Sequence, residues 1–551
     1  MNERPTFDLL TEPWIRVMTV DDEVREVGLL ELFQSAERIA RLSGDLPTQD
    51  VAILRLCLAI MHRAVEGPTD IDHWYEIFTD PQATLETVSL YLEDHRERFD
   101  LRDPVKPFFQ VADLRTKSGE FKGIEAVLQD VPASEKFFTL RRGKGLETMS
   151  WAEAARWLVA CHAYDISGIH SGAVGDPRVK GGRGYGIGTG WAGQLGIVYV
   201  VGSTLWETLL YNLVARDHDG SGLTDWDLAR DLPPWEREPD DQTTADVDGI
   251  SPTGPVNTYT WQSRRIRLHG AESVTGVLVC QGDRITPQNR QTVEPMTAWR
   301  YSKPQSDKHK ADVYMPQKFS AQQVMWRGLR ALLPQIAGET PRRSGGSGAA
   351  MLPAGTLSWF SQLAQEFEEL SAHQLIYPVS ILTMEYGSNE AVFDDLVVDE
   401  IALPLSALTG DPQLILAIKV ALDATTETAY LVGRFAANIA QAAGAEPDKA
   451  GAIRDESRRE FLYELEPEFR EWLAQDSADR VTRTISWQRH LRARATAAGE
   501  TIFARAPLAA LRGNSSGDAG RANAWFHAAL KKTLPDAYPK NEDSEVGHDS
   551  K

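Results

Sequence analysis

At 551 residues, 42% of them apolar, the chain is too long for one core and has material to bury two or perhaps three domains. A formal net charge of −21 excludes a protein that binds nucleic acid over its whole surface and leaves only local basic loops for such contacts. Cys57, Cys161 and Cys280 stand in no CxxC or Cys/His spacing, which fits a reducing compartment and excludes a sequence-local zinc site.

Residues 7–27 alternate short apolar runs with turn residues and predict a hairpin, and Leu29 to Leu42 has helical spacing. Thr48 is placed to cap the helix VAILRLCLAIMHRAV, in which Val51, Leu54, Leu58 and Met61 fall near one stripe. Lys106 to Val111 (KPFFQV) predicts a buried strand. In SEKFFTLRRGKGLETMS, residues 134–150, two glycines disfavour a helix. Arg141, Arg142 and Lys144 beside Phe137 and Phe138 suit a loop that grips phosphates or an acidic partner, with a solvated basic turn as the plainer reading. Trp151 to Ala163 reads as an amphipathic helix that leads into the most unusual stretch of the chain.

That stretch is Ser167 to Gly193, SGIHSGAVGDPRVKGGRGYGIGTGWAG. So many glycines break helix and strand alike and imply a specialised loop that lets another backbone or a ligand come close. Gly188-Thr-Gly190-Trp-Ala-Gly193 matches GxGxxG. A dinucleotide site needs that pattern after a strand and opening a helix, whereas here a loop precedes it and the strand LGIVYVVG follows. Arg178, Lys180 and Arg183 favour a polyanion as the thing approached.

Thr204 to Val214 predicts a helix, and 217–255 an acidic surface connection. YTWQSRRIRL alternates and puts Arg265 and Arg267 on one strand face. Polar segments carrying Arg290 and then Lys303, Lys308 and Lys310 add local basic patches, and Met325 to Leu333 reads as a helix. Residues 338–355 are rich in Gly, Ser and Pro and predict a flexible excursion. Residues 375–405 read as strand, turn, strand about Gly387-Ser388-Asn389-Glu390. From Pro412 four helical patterns joined by short loops predict a bundle, the third bearing Arg480, Arg483, Arg489, Arg492 and Arg494. The fold expected is α+β: a large mixed N-terminal globular domain over 1–405, a C-terminal four-helix bundle over 406–536, and a disordered acidic tail over 537–551. With no leader sequence and no apolar run of bilayer length, the expected setting is cytoplasmic, with no membrane partner.

There is no HExxH, nucleophile elbow or Cys/His arrangement, so the reading is a binding protein with no catalytic residues, no metal and no cofactor. The chain then resembles the CasA family, the large subunit of the type I-E CRISPR Cascade surveillance complex. The resemblance rests on FDLLTEPWIRV followed by LLELF, on KPFFQ, on AYDISGIHSGAVGDPRVKGGRGYGIGTGWAGQLG, and on YTWQSRRIRL. It implies a non-enzymatic subunit that recognises the protospacer-adjacent motif (PAM) in double-stranded DNA through the minor groove and starts strand separation. It further implies retention of the displaced strand and recruitment of a helicase-nuclease.

By resemblance the PAM-reading glycine loop lies within Gly181, Gly182, Arg183, Gly184, Tyr185 and Gly186, with Gly172 or Gly175 as alternatives. The wedge falls on Ser388, Asn389 and Glu390, where a carboxylate replaces the family's glutamine, and Arg290 stands near the family's lysine loop. Lys308 and Lys310 correspond to cations on the displaced strand. Phe137, Phe138, Arg141, Arg142 and Lys144 match a loop that reaches the guide RNA and a neighbouring subunit. The partners implied are the other Cascade subunits, CRISPR RNA, target DNA and the helicase-nuclease. The alternatives are a nucleotide- or sugar-phosphate-binding enzyme using the glycine loop, or a purely architectural subunit.

Overall fold

A computed structural model describes residues 6–130, 141, 143–216, 226–241, 251–320, 328–342, 346–475 and 479–538. The chain divides into two compact units. The first comprises Met1–Gln322, Ala337–Ser371 and Tyr377–Ile401; the second comprises Gln323–Ile336, Ala372–Ile376 and Ala402–Lys551. Besides its main segment from Ala402, the second unit takes in two earlier segments that a linear reading assigns to the first.

The first unit is built around helix Pro47–Ala64, in which every side chain from Thr48 to His62 except Asp50 is buried. A helix covered all round carries apolar residues on its whole circumference rather than in one stripe. At its centre Arg55 donates to Glu294 Oε1 (3.0 Å) and Oε2 (2.8 Å) and to the Thr258 carbonyl (3.0 Å), with its guanidinium 4.5 Å from the Tyr259 ring centroid. The cation is buried because every charge it meets is matched.

Two local expectations give way to tertiary pairing. The helical spacing of 29–42 ends at Gln34, and Ile39–Leu42 is a strand paired antiparallel with Ile15–Thr19, which also pairs with Val24–Val27. Ile39 and Leu42 are buried and Arg41 is exposed; a register shift opposite Met18 and Thr19 breaks simple alternation there, so pairing with the neighbour strand rather than side-chain periodicity makes this segment a strand. KPFFQV forms no strand: Pro107 has no amide to give a ladder, and Phe109 sits at φ +54° with its ring stacked on Phe108 at 4.2 Å.

Arg264–Gly270 and Val274–Gln281 form an antiparallel hairpin. The predicted basic face is largely internal: Arg265 is buried and paired with Asp283 at 2.8 Å. The expected flexible excursion instead holds short strands, Glu339–Pro341 with Ser347–Ala349, and Met351–Leu352 on Trp299–Tyr301. A three-stranded sheet runs in the order Phe393–Pro404, Ile376–Tyr386, Ile197–Val200. Phe393–Pro404 lies at its edge, with Asp394, Asp395 and Glu400 exposed. The three cysteines are free and buried.

The second unit is helical. Pro412–Ala442 packs against Pro447–Leu473, Arg480–Ala504 and Ala519–Thr533, with a short helix Leu508–Arg512 between the last two. Trp487 donates to Thr425 Oγ1 at 2.9 Å, and Phe435 stacks on Phe526 at 4.7 Å. The arginines of Arg480–Ala504 are partly structural. Arg483 is buried on the Trp472 carbonyl, Arg492 holds the Ala537 carbonyl, and Arg494 faces Glu464 and Glu468. A one-turn helix at Pro535–Ala537 precedes the end of the described residues at 538, so most of the predicted tail lies outside them. Among the described residues no helix is long and apolar enough to cross a membrane.

Candidate nucleic-acid interface

The glycine-rich stretch folds into a small β-hairpin. His170 pairs with Gly184 and Ser171 with Arg183, and Lys180 and Arg183 exchange both backbone hydrogen bonds at 3.1 Å. The two residues between them, Gly181 (φ +60°) and Gly182 (φ +77°), both have positive φ, as a type I′ turn demands. A Cβ added at either would meet nothing within 4 Å, so backbone conformation rather than space selects glycine there. The tip is therefore bare. Lys180, Gly181, Gly182 and Arg183 are exposed, and Tyr185 keeps 53% of its surface. Lys180 and Arg183 make no ion pair among the described residues, whereas Arg178 is held by Asp176 (3.3 Å) and donates to the Gly282 carbonyl (3.1 Å).

The stem has a buried clamp. Arg264, 1% exposed, donates to Asp165 Oδ2 (2.5 Å), to the Ile166 carbonyl (2.6 Å) and to the Gly188 carbonyl (3.0 Å), so one guanidinium holds both ends of the loop. Burial alone would raise the Asp165 pKa; Arg264 and His170 outweigh it and hold the carboxyl down at about 2. Gln281 Nε2 ties the strands further by donating to the Gly168 carbonyl at 2.9 Å.

The GxGxxG match has a packing explanation. A Cβ at Gly190 would lie 2.4 Å from the Ala163 carbonyl oxygen, and one at Gly193 would lie 2.0 Å from the Tyr386 hydroxyl. Between them Trp191 is buried and donates to Glu294 Oε2 at 2.7 Å. Gly172, too, is a packing position, where a Cβ would meet Val179 Cγ1 at 2.4 Å; Gly175 lies in an exposed turn. Gly184 and Gly186 also face neighbours, Gln281 and the Ser167 carbonyl.

The second hairpin brings its tip to the same place. Between Ile376–Tyr386 and Phe393–Pro404, Ser388, Asn389 and Glu390 form one exposed 3-10 turn in which Asn389 and Glu390 both have φ +55°. The Ser167 amide donates to the Glu390 carbonyl at 2.7 Å, and Ser167 Oγ accepts from the Gly188 amide at 3.1 Å. Lower on the hairpin the Tyr386 hydroxyl donates to the Tyr164 carbonyl at 2.7 Å. Lys318, half-buried, donates to the Gly193 carbonyl at 2.8 Å and lies 5.2 Å from the Tyr386 ring centroid. Burial lowers its pKa, and the Glu390 and Glu385 carboxylates oppose that shift.

A third segment joins through Asn289, whose amide donates to the Tyr314 carbonyl (3.0 Å) and whose Nδ2 donates to the Asp312 carbonyl (3.1 Å). This fixes the Arg290 loop beside the chain that leaves helix Lys303–His309. Lys308 and Lys310 are exposed at the end of that helix, Lys310 in a left-handed C-cap, and neither makes an ion pair among the described residues. Arg290 is half-buried: Nε donates to the Thr286 carbonyl, Nη2 to Thr286 Oγ1 (2.7 Å) and Nη1 to Ser251 Oγ (3.2 Å). The structure therefore links the glycine hairpin to the 388–390 turn directly, and Arg290 to the Lys308–Lys310 segment through Asn289.

In the remaining predicted loop, Arg141 is committed internally to Asp130 (2.8 Å) and Glu153 (2.5 Å). Lys144 lies in the one-turn helix Gly143–Leu146, and Phe137, Phe138 and Arg142 lie outside the described residues. Sequence reasoning missed Arg264, Lys318 and Tyr386 because their partners are carbonyls or rings distant in sequence. The strand alternation of SRRIRL was the one available signal, since it puts Arg264 opposite Arg265. Among the described residues no group of three or more His, Cys, Asp or Glu is placed to hold a metal ion.

Two glycine- and polar-tipped hairpins on a buried clamp, with Lys180 and Arg183 free of ion pairs among the described residues, form an exposed polar surface. Residues 8–498 match the family profile described as CRISPR-associated protein Cse1, and the chain belongs to that family. It is 27% identical over 478 residues, 84% of this chain and 83% of the relative, to CRISPR-associated protein CasA/Cse1 of Thermus thermophilus. The crystal structure of Thermobifida fusca Cse1 is similar with a TM-score of 0.87 at 39% identity, over 97% of this chain and 99% of that one. A chain of a CRISPR RNA-guided surveillance complex shares the fold at a TM-score of 0.66 and 17% identity, over 91% of this chain and 99% of that one.

Proposed function

We propose that this chain is the large, non-catalytic subunit of a type I-E CRISPR RNA-guided surveillance complex. In this reading it recognises the PAM in double-stranded DNA through the minor groove, starts strand separation at the 388–390 turn, and holds the displaced strand through Lys308 and Lys310. Its partners are the other Cascade subunits, the CRISPR RNA and a recruited helicase-nuclease, and its setting is the cytoplasm. The observation that carries the proposal is the 2.7 Å hydrogen bond from Ser167 to Glu390, which ties the glycine hairpin to the second tip.

Minor-groove entry favours a backbone with little side-chain bulk, and the groove's degenerate pattern permits reading of several short motifs. The bare Gly181-Gly182 turn between Lys180 and Arg183 fits that requirement. A polar turn beside it is placed to compete with stacking at the first base pair, after which guide pairing supplies sequence specificity, a division of labour known for a related effector. The nucleotide-binding alternative loses its motif, because Gly190 and Gly193 are occupied by packing.

The test measures duplex binding by the remaining subunits and guide RNA, with and without this chain, on PAM and PAM-scrambled targets, with ATP as competitor. The proposal expects PAM-dependent binding that requires the chain and ignores ATP. Tight ATP binding without any effect of the chain on duplex affinity overturns it.

A further inference from the structure

Beside the Arg290 loop lies a polar cleft of about 230 Å³ lined by Asp227, Arg230, Ser251, Thr253, Arg290 and Thr292 among others. We infer that this cleft is a phosphate seat in which Arg230 and Arg290 together grip one phosphodiester of the nucleic-acid backbone. The inference rests on the DNA-binding reading above and deepens it by adding Arg230 and by assigning Arg290 to backbone rather than base.

Three observations carry it. Arg290 uses one N–H on Nε, one on Nη1 and one on Nη2 for Thr286 and Ser251. A guanidinium has five N–H donors, so one remains on each terminal nitrogen, the pair that a phosphate takes in a fork. Among the described residues the half-buried group has no acid paired with it, and burial lowers its pKa. A partly desolvated cation without a counter-charge is a site prepared for an anion. Finally, Arg230 is exposed on the rim and makes no ion pair among the described residues, and hydroxyls of Ser251 and Thr292 line the same cleft.

The geometry also argues against a groove-reading role for Arg290. Its side chain is fastened at three nitrogens, so it cannot extend into a groove without breaking those bonds. Asp227, the one acid in the lining, accepts the Ala229 amide at 3.1 Å and sets the electrostatic limit on the seat's affinity.

The test uses the reconstituted complex and measures PAM-duplex affinity from 50 to 300 mM salt for the unaltered chain, Arg230→Ala, Arg230→Glu and Asp227→Asn. Each lost phosphate contact lowers the slope of log affinity against log salt by about 0.9. Arg230→Ala is expected to lower the slope by about that amount and to weaken PAM and PAM-scrambled duplexes alike. Arg230→Glu should weaken both further, and Asp227→Asn should strengthen both. A slope and affinity unchanged in Arg230→Ala and Arg230→Glu overturn the inference while leaving the PAM-reading proposal intact; absence of duplex binding by the unaltered complex overturns both. A parallel titration of the chain with inorganic phosphate separates the sources: saturable phosphate binding lost in Arg230→Ala, with the duplex slope unchanged, assigns the cleft to free phosphate and overturns the backbone assignment. Arg230 is exposed, so unchanged thermal unfolding of its variants is expected and keeps the readout interpretable.

Discussion

The amide of Ser167 donates to the carbonyl of Glu390 at 2.7 Å, across more than two hundred residues of sequence. Because Ser167 Oγ also accepts from the Gly188 amide, Ser167 connects the stem of the glycine hairpin to the tip of the second one. The two tips are therefore expected to respond together to substitutions at either.

The glycine turn separates backbone strain from bulk. At φ +77° and with open space around it, Gly182→Asn should fold nearly normally, since Asn tolerates the left-handed region, whereas Gly182→Val should cost about 1–2 kcal/mol of local stability. If the bare tip enters a groove, both variants lose PAM-duplex affinity. Thermal unfolding read beside duplex binding checks this: full affinity in Gly182→Asn removes the tip from the interface.

At the second tip, Glu390 holds φ +55° without being glycine. Glu390→Gly should stabilise the chain by about 0.5–1 kcal/mol by relieving that strain, and by removing a carboxylate it should strengthen duplex binding. Asn389→Val should do the opposite on both counts. Denaturant unfolding and a binding isotherm on the same samples decide it, with a destabilised Glu390→Gly counting against the strain argument.

The clamp is expected to be costly to break. Arg264→Met leaves Asp165 buried without its strongest partner and should lose about 3–5 kcal/mol, part of which the double variant with Asp165→Asn recovers. Arg264→Lys keeps a charge but cannot span the Ile166 and Gly188 carbonyls, so faster proteolysis between residues 178 and 186 is the expected signature.

Two carboxyls give opposite pH dependences. Asp165, held at about 2 against an ordinary 3.8, contributes stability that is present above pH 3.8 and is lost as pH falls through 2. Asp50, raised to about 6 chiefly by burial, contributes stability that is present below pH 3.8 and is lost as pH rises through 6. Asp50→Asn should therefore raise stability at pH 7 by about 2 kcal/mol and by much less at pH 4, since the amide oxygen can still accept from Gly44. Urea titrations at the two pH values test the difference; equal shifts at both would sink the assignment.

Reversing the charge of Lys308 and Lys310 should leave thermal unfolding unchanged, because both are exposed and unpaired among the described residues. In the reconstituted complex the double variant is expected to shorten retention of the displaced strand and to flatten the salt dependence by nearly two contacts. Unchanged retention would show that these lysines touch no phosphate.

The sequence was readable where a residue's behaviour depends on its neighbours in the chain. The hairpin about Asn389, the helices from Pro412 onward and the hairpin-forming stretches near the start all follow from local periodicity and turn chemistry. It misled where distant partners decide. Ile39–Leu42 became a strand because a neighbour strand needed it, and Arg265 and Arg483 went inward because carboxylates and carbonyls were waiting there. The glycines show both regimes, since only Gly181 and Gly182 hold the bare turn, while Gly190 and Gly193 answer to Ala163 and Tyr386.

The acidic edge strand Phe393–Pro404 begins three residues beyond the turn that ends at Glu390. Its exposed Asp394, Asp395 and Glu400 carboxylates repel a polyanion that approaches the turn along that flank. In the proposed reading the hairpin would act as a one-way guide rail, admitting a nucleic acid end-on at its tip and refusing it sideways.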